Sequence, residues 1–542
     1  MLKQPTIQSL IDEINKRVED KILEQSNANL LIKLIKNADS LEEAISIATL
    51  GTVYKKTGFH FTPKLEKTGN TIHYFKKNED LSFHTDDTKP VNKLIIGDNY
   101  VALQNLLIQY KNQIDVIYID PPYGKDSMGE FAKTNYDNAI TRDNLLSMLY
   151  PRLQLAKQLL ADDGVIFCSI DDKNQAYVKC LFDEVFGETF CLGCIPRLTK
   201  KGGKSSDNLQ DNHDYILIYS KTDEASLEHL EHTDEGFKYT DNYVEERGKY
   251  KLNQTLDYDT LGYVNSLDYP INIENETYYP GNVSEEEFKQ RKIENPKDDF
   301  RWRWSKELFD FGYKNDLIVV NKKTHRIYTK TYQNATIETD EDDNYYIEIT
   351  PRKKALSSID FIKNKYSNDI AKKELKKILG KFKFDYPKPS SMIVDLLRRI
   401  GKKSAIVLDF FAGSGTTGHA VLELNNQDNG TRTFILCQLN EKTDTTPNGI
   451  AYDVTSKRLK RIMTGSCYDD TNNFPWLKDN EPYGGNLDVY EIADVANFES
   501  ADGKTPFDVI DETLCGKEKF STVKEKIDWV CQNFEKTQKN LE

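Results

Sequence analysis

The chain has 542 residues, of which 38% are hydrophobic and 30% charged, and its formal net charge is −14. That length supports two or three domains around a large core. The acidic balance excludes a protein whose bulk charge alone gathers nucleic acid, so any DNA-binding surface must be local. Eight cysteines are scattered along the chain, and only Cys191 and Cys194 form a C-x-x-C. With no second pair and no His cluster beside them, a metal site is not expected, and a reduced cytoplasmic protein is. No stretch reads as a signal peptide or as an apolar run of membrane length, so no membrane partner is expected.

Residues 1–90 read as an N-terminal helical and extended region. Ile7, Leu10, Ile11 and Ile14 recur at helical spacing, as do Leu30, Leu31, Leu34 and Ile35. Residues 51–90 are polar, with an alternation around Ile72 to Phe75 that reads as a short hairpin. Leu94 to Asp98 then reads as a strand ending in Gly-Asp, followed by an amphipathic helix over Val101 to Tyr110.

The next strand carries the most chemistry. In Asp115 to Tyr123 (DVIYIDPPY), Val116 to Ile119 is a continuous apolar, β-branched run, the pattern of a strand buried on both faces. Pro121 and Pro122 remove two backbone donors and fix φ near −65°, so the strand stops there. The turn holds a carboxylate, a carbonyl and an aromatic ring at the carboxyl end of a strand, the edge where open α/β sheets bind ligands. The amino group of a nucleobase is a poor nucleophile because its lone pair is delocalised into the ring. Acceptors on its two N–H bonds, the Asp120 side chain and the Pro121 carbonyl, would draw the nitrogen toward tetrahedral geometry. Tyr123 offers a flat face for stacking a base taken out of its duplex. The bland alternative is a turn that merely ends the sheet.

Residues 124–140 are polar and without apolar periodicity, which predicts a mobile loop over the site. A helix over Asn144 to Leu160, a strand over Gly164 to Asp172 and a helix over Asn174 to Phe186 follow. The alternation predicts a parallel sheet with helices on both faces. Strands at Cys191 to Ile195 and Tyr215 to Tyr219 flank a loop carrying Arg197, Lys200, Lys201 and Lys204, a composition suited to phosphate contact or simply to solvent. From 221 to 384 the alternation disappears. There Arg301, Trp302 and Arg303 interleave cations with an aromatic ring, either as a DNA-reading surface or as a cation–π core patch. Between Pro351 and Lys403, sixteen Lys and Arg stand against five Asp and Glu, which makes that segment a candidate DNA flank.

Ala405 to Leu408 reads as another buried strand, followed by a Gly-x-Gly turn at Gly413 and Gly415 and a helix from about Thr416. The glycines let a ligand approach the backbone, and the helix start offers free N–H groups. No Gly-Lys-Ser/Thr follows, so this is not a P-loop, and the third glycine of the dinucleotide fingerprint is absent. Thr433 to Glu441 is a further strand ending in an acid.

Asp120-Pro-Pro-Tyr123 together with Phe411-Ala-Gly-Ser-Gly415 resembles the DNA amino-methyltransferases that use S-adenosyl-L-methionine. The order of the two motifs is that of the family's β class, and the chain looks most like the modification (Mod) subunits of type III restriction–modification systems. The resemblance implies a doubly wound, Rossmann-like α/β methyltransferase sheet split into residues 91–220 and 385–465. The insertion 221–384 would be a target-recognition domain, and 466–542 a mixed C-terminal region. It implies catalysis by Asp120, Pro121, Pro122 and Tyr123, and a cofactor held by Asp409, Phe411, Gly413, Gly415 and Thr416. Lys388 would serve the methionine end, and Glu441 would accept the two ribose hydroxyls. Asp98 would contact the cofactor's adenine, against an alternative role as a helix N-cap. Implied partners are double-stranded DNA, a second copy of the chain and a separate restriction subunit, since no helicase or nuclease motif occurs here. The implied substrate is the N6 amino group of adenine, with cytosine N4 as the alternative. A chain serving chiefly as a recognition subunit is the other reading.

Overall fold

The computed structural model describes residues 6–19, 25–50, 72–123, 141–202, 210–232, 236–252, 254–258, 262–294, 296–380, 384, 386–443 and 445–495. Its centre is a ten-stranded sheet. In chain order the strands are β1 (Ile72–Lys77), β2 (Phe83–His84), β3 (Val91–Ile96), β4 (Ile114–Ile119), β5 (Leu160–Ile170), β6 (Cys191–Leu198), β7 (His213–Ser220), β8 (Ile406–Asp409), β9 (Thr433–Gln438) and β10 (Asn486–Val495). Across the sheet they run β1-β10-β3-β9-β8-β4-β5-β7-β6, with β2 also paired to β10. The strands from β10 through β5 are parallel, and antiparallel strands close both edges.

Both faces of the parallel strands are covered, which is why they read as unbroken apolar runs. In β4, Ile117 and Ile119 join one core cluster with α1 (Asn99–Tyr110), α2 (Thr141–Leu159) and α3 (Asp172–Phe186). Val116 and Tyr118 point the other way. They pack with residues of α4 (Asn368–Leu379), α5 (Ser390–Arg398), α6 (Thr416–Asp428) and α7 (Lys457–Thr464). The period of two along a strand thus feeds two separate cores.

The boundary between β4 and β8 positions the site. From β4 the chain proceeds outward to β5, and from β8 it proceeds the opposite way to β9. That reversal opens a crevice at the carboxyl ends of the two strands. Val407 pairs with Val116 and Leu408 with Ile117, so the Asp-Pro-Pro-Tyr turn and the Gly-x-Gly turn emerge side by side.

The sheet extends beyond the segments expected from the sequence. Ile72–Lys77, read as part of a hairpin in the N-terminal region, is an edge strand of the main sheet. Asn486–Val495, from the mixed C-terminal region, lies between β1 and β3 with Val489 opposite Leu94. Its sequence hides this because Asp488 is buried in the strand, neutralised by Lys77 at 3.0 Å and His84 at 2.9 Å.

The helices Ile7–Glu19, Gln25–Lys36 and Leu41–Leu50 pack around Ile14, Ala28, Ile35 and Ala44; of the residues at helical spacing Ile11, Ile14 and Ile35 are buried, whereas Ile7, Leu30 and Leu34 are exposed. In the insertion the described strands pair only as short antiparallel ladders. They enclose a small core of Leu256, Ile271, Tyr278, Trp302, Phe309, Ile318 and Ile327. The loop expected over 124–140, Lys204 and residues 496–542 of the C-terminal region lie outside the described residues. No described helix is long and apolar enough to cross a membrane.

Candidate active site

Asp120 follows the last residue of β4, and its carboxylate is held through one oxygen. The Tyr123 hydroxyl donates to Oδ1, and the Lys388 ammonium donates to the same atom at 2.6 Å and to the Tyr123 hydroxyl at 2.8 Å. Among the described residues, no hydrogen bond reaches Asp120 Oδ2 or the carbonyl oxygen of Pro121. Burial, and then the adjacent Asp120 carboxylate, pushes the Tyr123 phenol well above its ordinary pKa, so it remains a donor. Asn174, in the first turn of α3, donates from its side chain to the Tyr123 carbonyl at 2.7 Å and to Asp171 at 2.8 Å. It therefore ties the turn to the end of β5. An Asn inside a helix start gave no sequence signal for this.

The Gly-x-Gly turn is fastened on its inner side. Gly413 has φ +52° and Gly415 φ +76°, left-handed values that favour glycine. The Gly413 amide donates to Gln438 Oε1 at 2.6 Å, and its carbonyl accepts from Thr455 at 2.6 Å. A Cβ at Gly413 would meet the Phe384 ring at 3.6 Å, whereas one at Gly415 would press on Thr455 at 3.3 Å. Arg458, fully buried, donates to Ser414 Oγ at 3.2 Å and Thr416 Oγ1 at 2.8 Å, and pairs with Glu374 at 2.9 Å. Gln438, Thr455 and Arg458 were not legible as site residues, because each reaches the turn from a different element.

Several residues expected to touch a cofactor have partners within the chain. Asp409 is 2% exposed. Its Oδ1 accepts the Phe411 amide at 2.9 Å and its Oδ2 the Thr417 hydroxyl, so it shapes the turn from beneath. The Thr416 hydroxyl is likewise committed to Arg458, leaving its position at the start of α6 as its link to the crevice. Phe411 is half-buried against the core, 5.2 Å from the Phe410 ring. Asp98 is the N-cap of α1: Oδ1 accepts from the amides of Tyr100 at 2.8 Å and Val101 at 3.3 Å, and Oδ2 pairs with Arg152 at 3.3 Å. Glu441 differs from these. It follows β9, is half-buried, and among the described residues its carboxylate has no hydrogen-bond partner. An open turn with positive-φ glycines beside an unpartnered carboxylate fits a ligand with vicinal hydroxyls.

The expected DNA contacts are partly corrected. Arg197 is fully buried. Its Nε donates to Asp214 Oδ1 at 2.6 Å and a second N–H to Oδ2, with further bonds to the Tyr366 carbonyl at 2.8 Å and Asn368 at 3.0 Å. It is an internal ion pair and not a phosphate ligand. Lys200 and Lys201 are exposed. Trp302 is 2% exposed and its indole donates to the Tyr269 carbonyl at 2.6 Å. Arg301 donates to the Gly262 carbonyl at 2.7 Å, and the Arg303 guanidinium lies 5.0 Å from the Tyr258 ring. That patch is the cation–π core alternative. In the basic segment, Lys365 pairs with Asp395, Lys377 with Asp479, and Lys402 with Asp115 and Asp163. Lys363, Lys372, Lys373 and Lys376 remain on the surface.

The doubly wound sheet thus sets an acidic Pro-Pro-Tyr turn beside a Gly-x-Gly turn at its switch point. A family model described as DNA methylase, the N6/N4 methyltransferase family, matches residues 114–291 and 272–444. The chain belongs to this family, and it is an S-adenosyl-L-methionine-dependent DNA methyltransferase. A second model, of an uncharacterised conserved protein family, matches residues 7–116. Among known proteins, the Mod subunit of the type III restriction-modification enzyme EcoPI of Escherichia phage P1 is 30% identical over 514 residues, covering 84% of this chain and 72% of that protein. The type II methyltransferase M.KpnI of Klebsiella pneumoniae is 30% identical over 419 residues, covering 73% of this chain and 93% of that one. The solved structure of the PvuII cytosine-N4-specific DNA methyltransferase aligns with a TM-score of 0.31 and 11% identity, over 68% of this chain and 87% of that one.

Proposed function

We propose that the chain methylates the N6 amino group of an adenine turned out of double-stranded DNA, as the modification subunit of a restriction–modification system. The observation that carries this is a pair of acceptors at the switch point, Asp120 Oδ2 and the Pro121 carbonyl, that take no hydrogen bond among the described residues. An exocyclic amino group has two N–H bonds, and two adjacent acceptors remove them from conjugation and expose the nitrogen lone pair. Tyr123 supplies the ring on which the base stacks.

S-adenosyl-L-methionine, when bound, supplies an electrophilic methyl group on a sulfonium. Glu441 would hold its ribose hydroxyls, and the Gly413–Gly415 turn would accept its approach to the backbone. The residues of this chain position the amino nitrogen and stabilise the positive charge that develops on it. The Asp120 carboxylate, placed at the end of β4, is suited to that stabilisation. Asp before Pro-Pro favours adenine over cytosine within the family resemblance, and the similarity to a type III Mod subunit supports a restriction subunit as partner.

Long-read methylation mapping of DNA from cells expressing this chain tests the reading. N6-methyladenine in one recurring sequence context is the expected result. N4-methylcytosine in such a context would overturn the choice of base, and unmodified DNA would overturn the activity of the chain on its own.

A further inference from the structure

Lys388 precedes α5 in a Pro-Lys-Pro segment and is 5% exposed. Its ammonium touches Asp120 and Tyr123, as described, and lies 4.8 Å from the centre of the Tyr123 ring. On the other side stands Asp214, 4.0 Å away. Asp214 is fixed in turn by the two-pronged contact with Arg197, whose remaining N–H groups are bound at Tyr366 and Asn368. The buried charges therefore alternate: Arg197, Asp214, Lys388, Asp120. Ionised groups are tolerated away from water only when paired and hydrogen-bonded in this way.

The arrangement has a directional consequence. Both donors on Asp120 act on Oδ1, and two charge-assisted or short contacts on one oxygen fix the plane of a carboxylate that would otherwise rotate. Oδ2, which accepts no hydrogen bond among the described residues, is left available to a ligand. Resting on the proposed amino-group methylation, we infer that Lys388 is a positioning residue of methyl transfer. It clamps Asp120 and the Tyr123 hydroxyl so that Oδ2 faces the target nitrogen, and the Asp214–Arg197 pair holds it in place. This differs from the expectation that Lys388 serves the methionine end of the cofactor.

The test uses the full chain, tritiated S-adenosyl-L-methionine and unmethylated genomic DNA, with single-turnover rates at saturating cofactor and calorimetric cofactor titration. The parent chain comes first: no label in DNA would overturn the proposed function itself, before any variant is made. Given an active parent, Lys388→Met is expected to lower the single-turnover rate at least a hundredfold and to change the cofactor dissociation constant less than threefold. Lys388→Arg should recover part of the rate, since it keeps a cationic donor. Lys388→Met combined with Tyr123→Phe should be no slower than the worse single variant, because both break one clamp. A rate within threefold of the parent in Lys388→Met would overturn the inference. So would a rate restored by saturating cofactor alongside a tenfold or greater loss of cofactor affinity, which marks a cofactor ligand. If Lys388→Met does not fold, Lys388→Arg and Tyr123→Phe decide by the same cycle, and multiplicative losses would overturn the clamp.

Discussion

Asp120 and Asp409 stand at the carboxyl ends of neighbouring parallel strands, and the Asp120 carboxylate acts on Asp409. Burial, opposed by the bonds from Thr417 and Phe411 and reinforced by the Asp120 carboxylate, raises the pKa of Asp409 to about 7. Asp409 is 2% exposed and shapes the Gly-x-Gly turn, while Asp120 is only partly buried.

The first prediction is a pH dependence. Because the folded pKa of Asp409 lies above the unfolded value, its contribution to stability is fully present below about pH 4 and is lost as the pH rises toward 7. Asp409→Asn removes the titration. The unfolding free energy of the parent relative to Asp409→Asn should therefore fall between pH 4 and 7, by on the order of 1.4 kcal/mol per unit at most, and level off above. Urea titrations of both proteins across that range measure it, and a flat difference would refute the assignment.

The second concerns the cofactor turn. At Gly415 a side chain faces both a left-handed backbone, costing roughly 1–2 kcal/mol, and Thr455 at 3.3 Å. Gly415→Val should abolish cofactor binding in calorimetry. Glu441→Ala should weaken it by about 1–3 kcal/mol, the scale of charged hydrogen bonds lost. Unchanged affinity in a folded Gly415→Val variant would remove the turn from the cofactor site.

The third separates chemistry from binding at the Pro-Pro turn. Asp120→Ala should eliminate methyl transfer and leave DNA affinity within a few-fold of the parent. Tyr123→Ala should slow transfer severely by removing both ring and hydroxyl. Tyr123→Phe keeps the stacking face, so its loss should be the smaller, yet measurable, because the hydroxyl binds Asp120 and Lys388. Equal rates for Tyr123→Ala and the parent would end the stacking role.

The fourth distinguishes Lys200 and Lys201 from Arg197, which lies in β6. Neutralising Lys200 and Lys201 together should make the log–log dependence of DNA affinity on salt shallower by about 2, at roughly 0.9 per phosphate. Arg197→Ala should instead destabilise the fold by about 3–5 kcal/mol, because buried Asp214 loses both contacts from Arg197 and, among the described residues, keeps only Lys388 at 4.0 Å. A salt series with the double variant and a thermal melt of Arg197→Ala check the pair. A melt unchanged in Arg197→Ala would contradict its burial.

The fifth falls in the insertion. Trp302→Ala removes the largest ring of its small core and should cost about 3–5 kcal/mol. Limited proteolysis should then cut the insertion first while the methyltransferase sheet survives. A variant as protease-resistant as the parent would show that Trp302 carries no packing load there.

The sequence by itself determined what is local. β-branched runs at Val116 to Ile119 and Ala405 to Leu408 required doubly buried strands, two prolines ended the first, and two glycines with positive φ opened the turn after the second. Such signals lie within a few bonds of the residues they describe, so they survive without a structure. The tertiary structure decided every assignment that depends on a partner distant in the chain. It brought Lys388 to Asp120 across 268 positions, buried Arg197 against Asp214, and closed Trp302 into a core. It also drew Asn486–Val495 into the central sheet by neutralising Asp488 with Lys77 and His84. A Lys, Arg or Asp has one chemistry in a sequence and two fates in a fold. Whether it faces solvent or a buried counter-charge is set by which strands lie side by side, and periodicity along one segment carries no information about that.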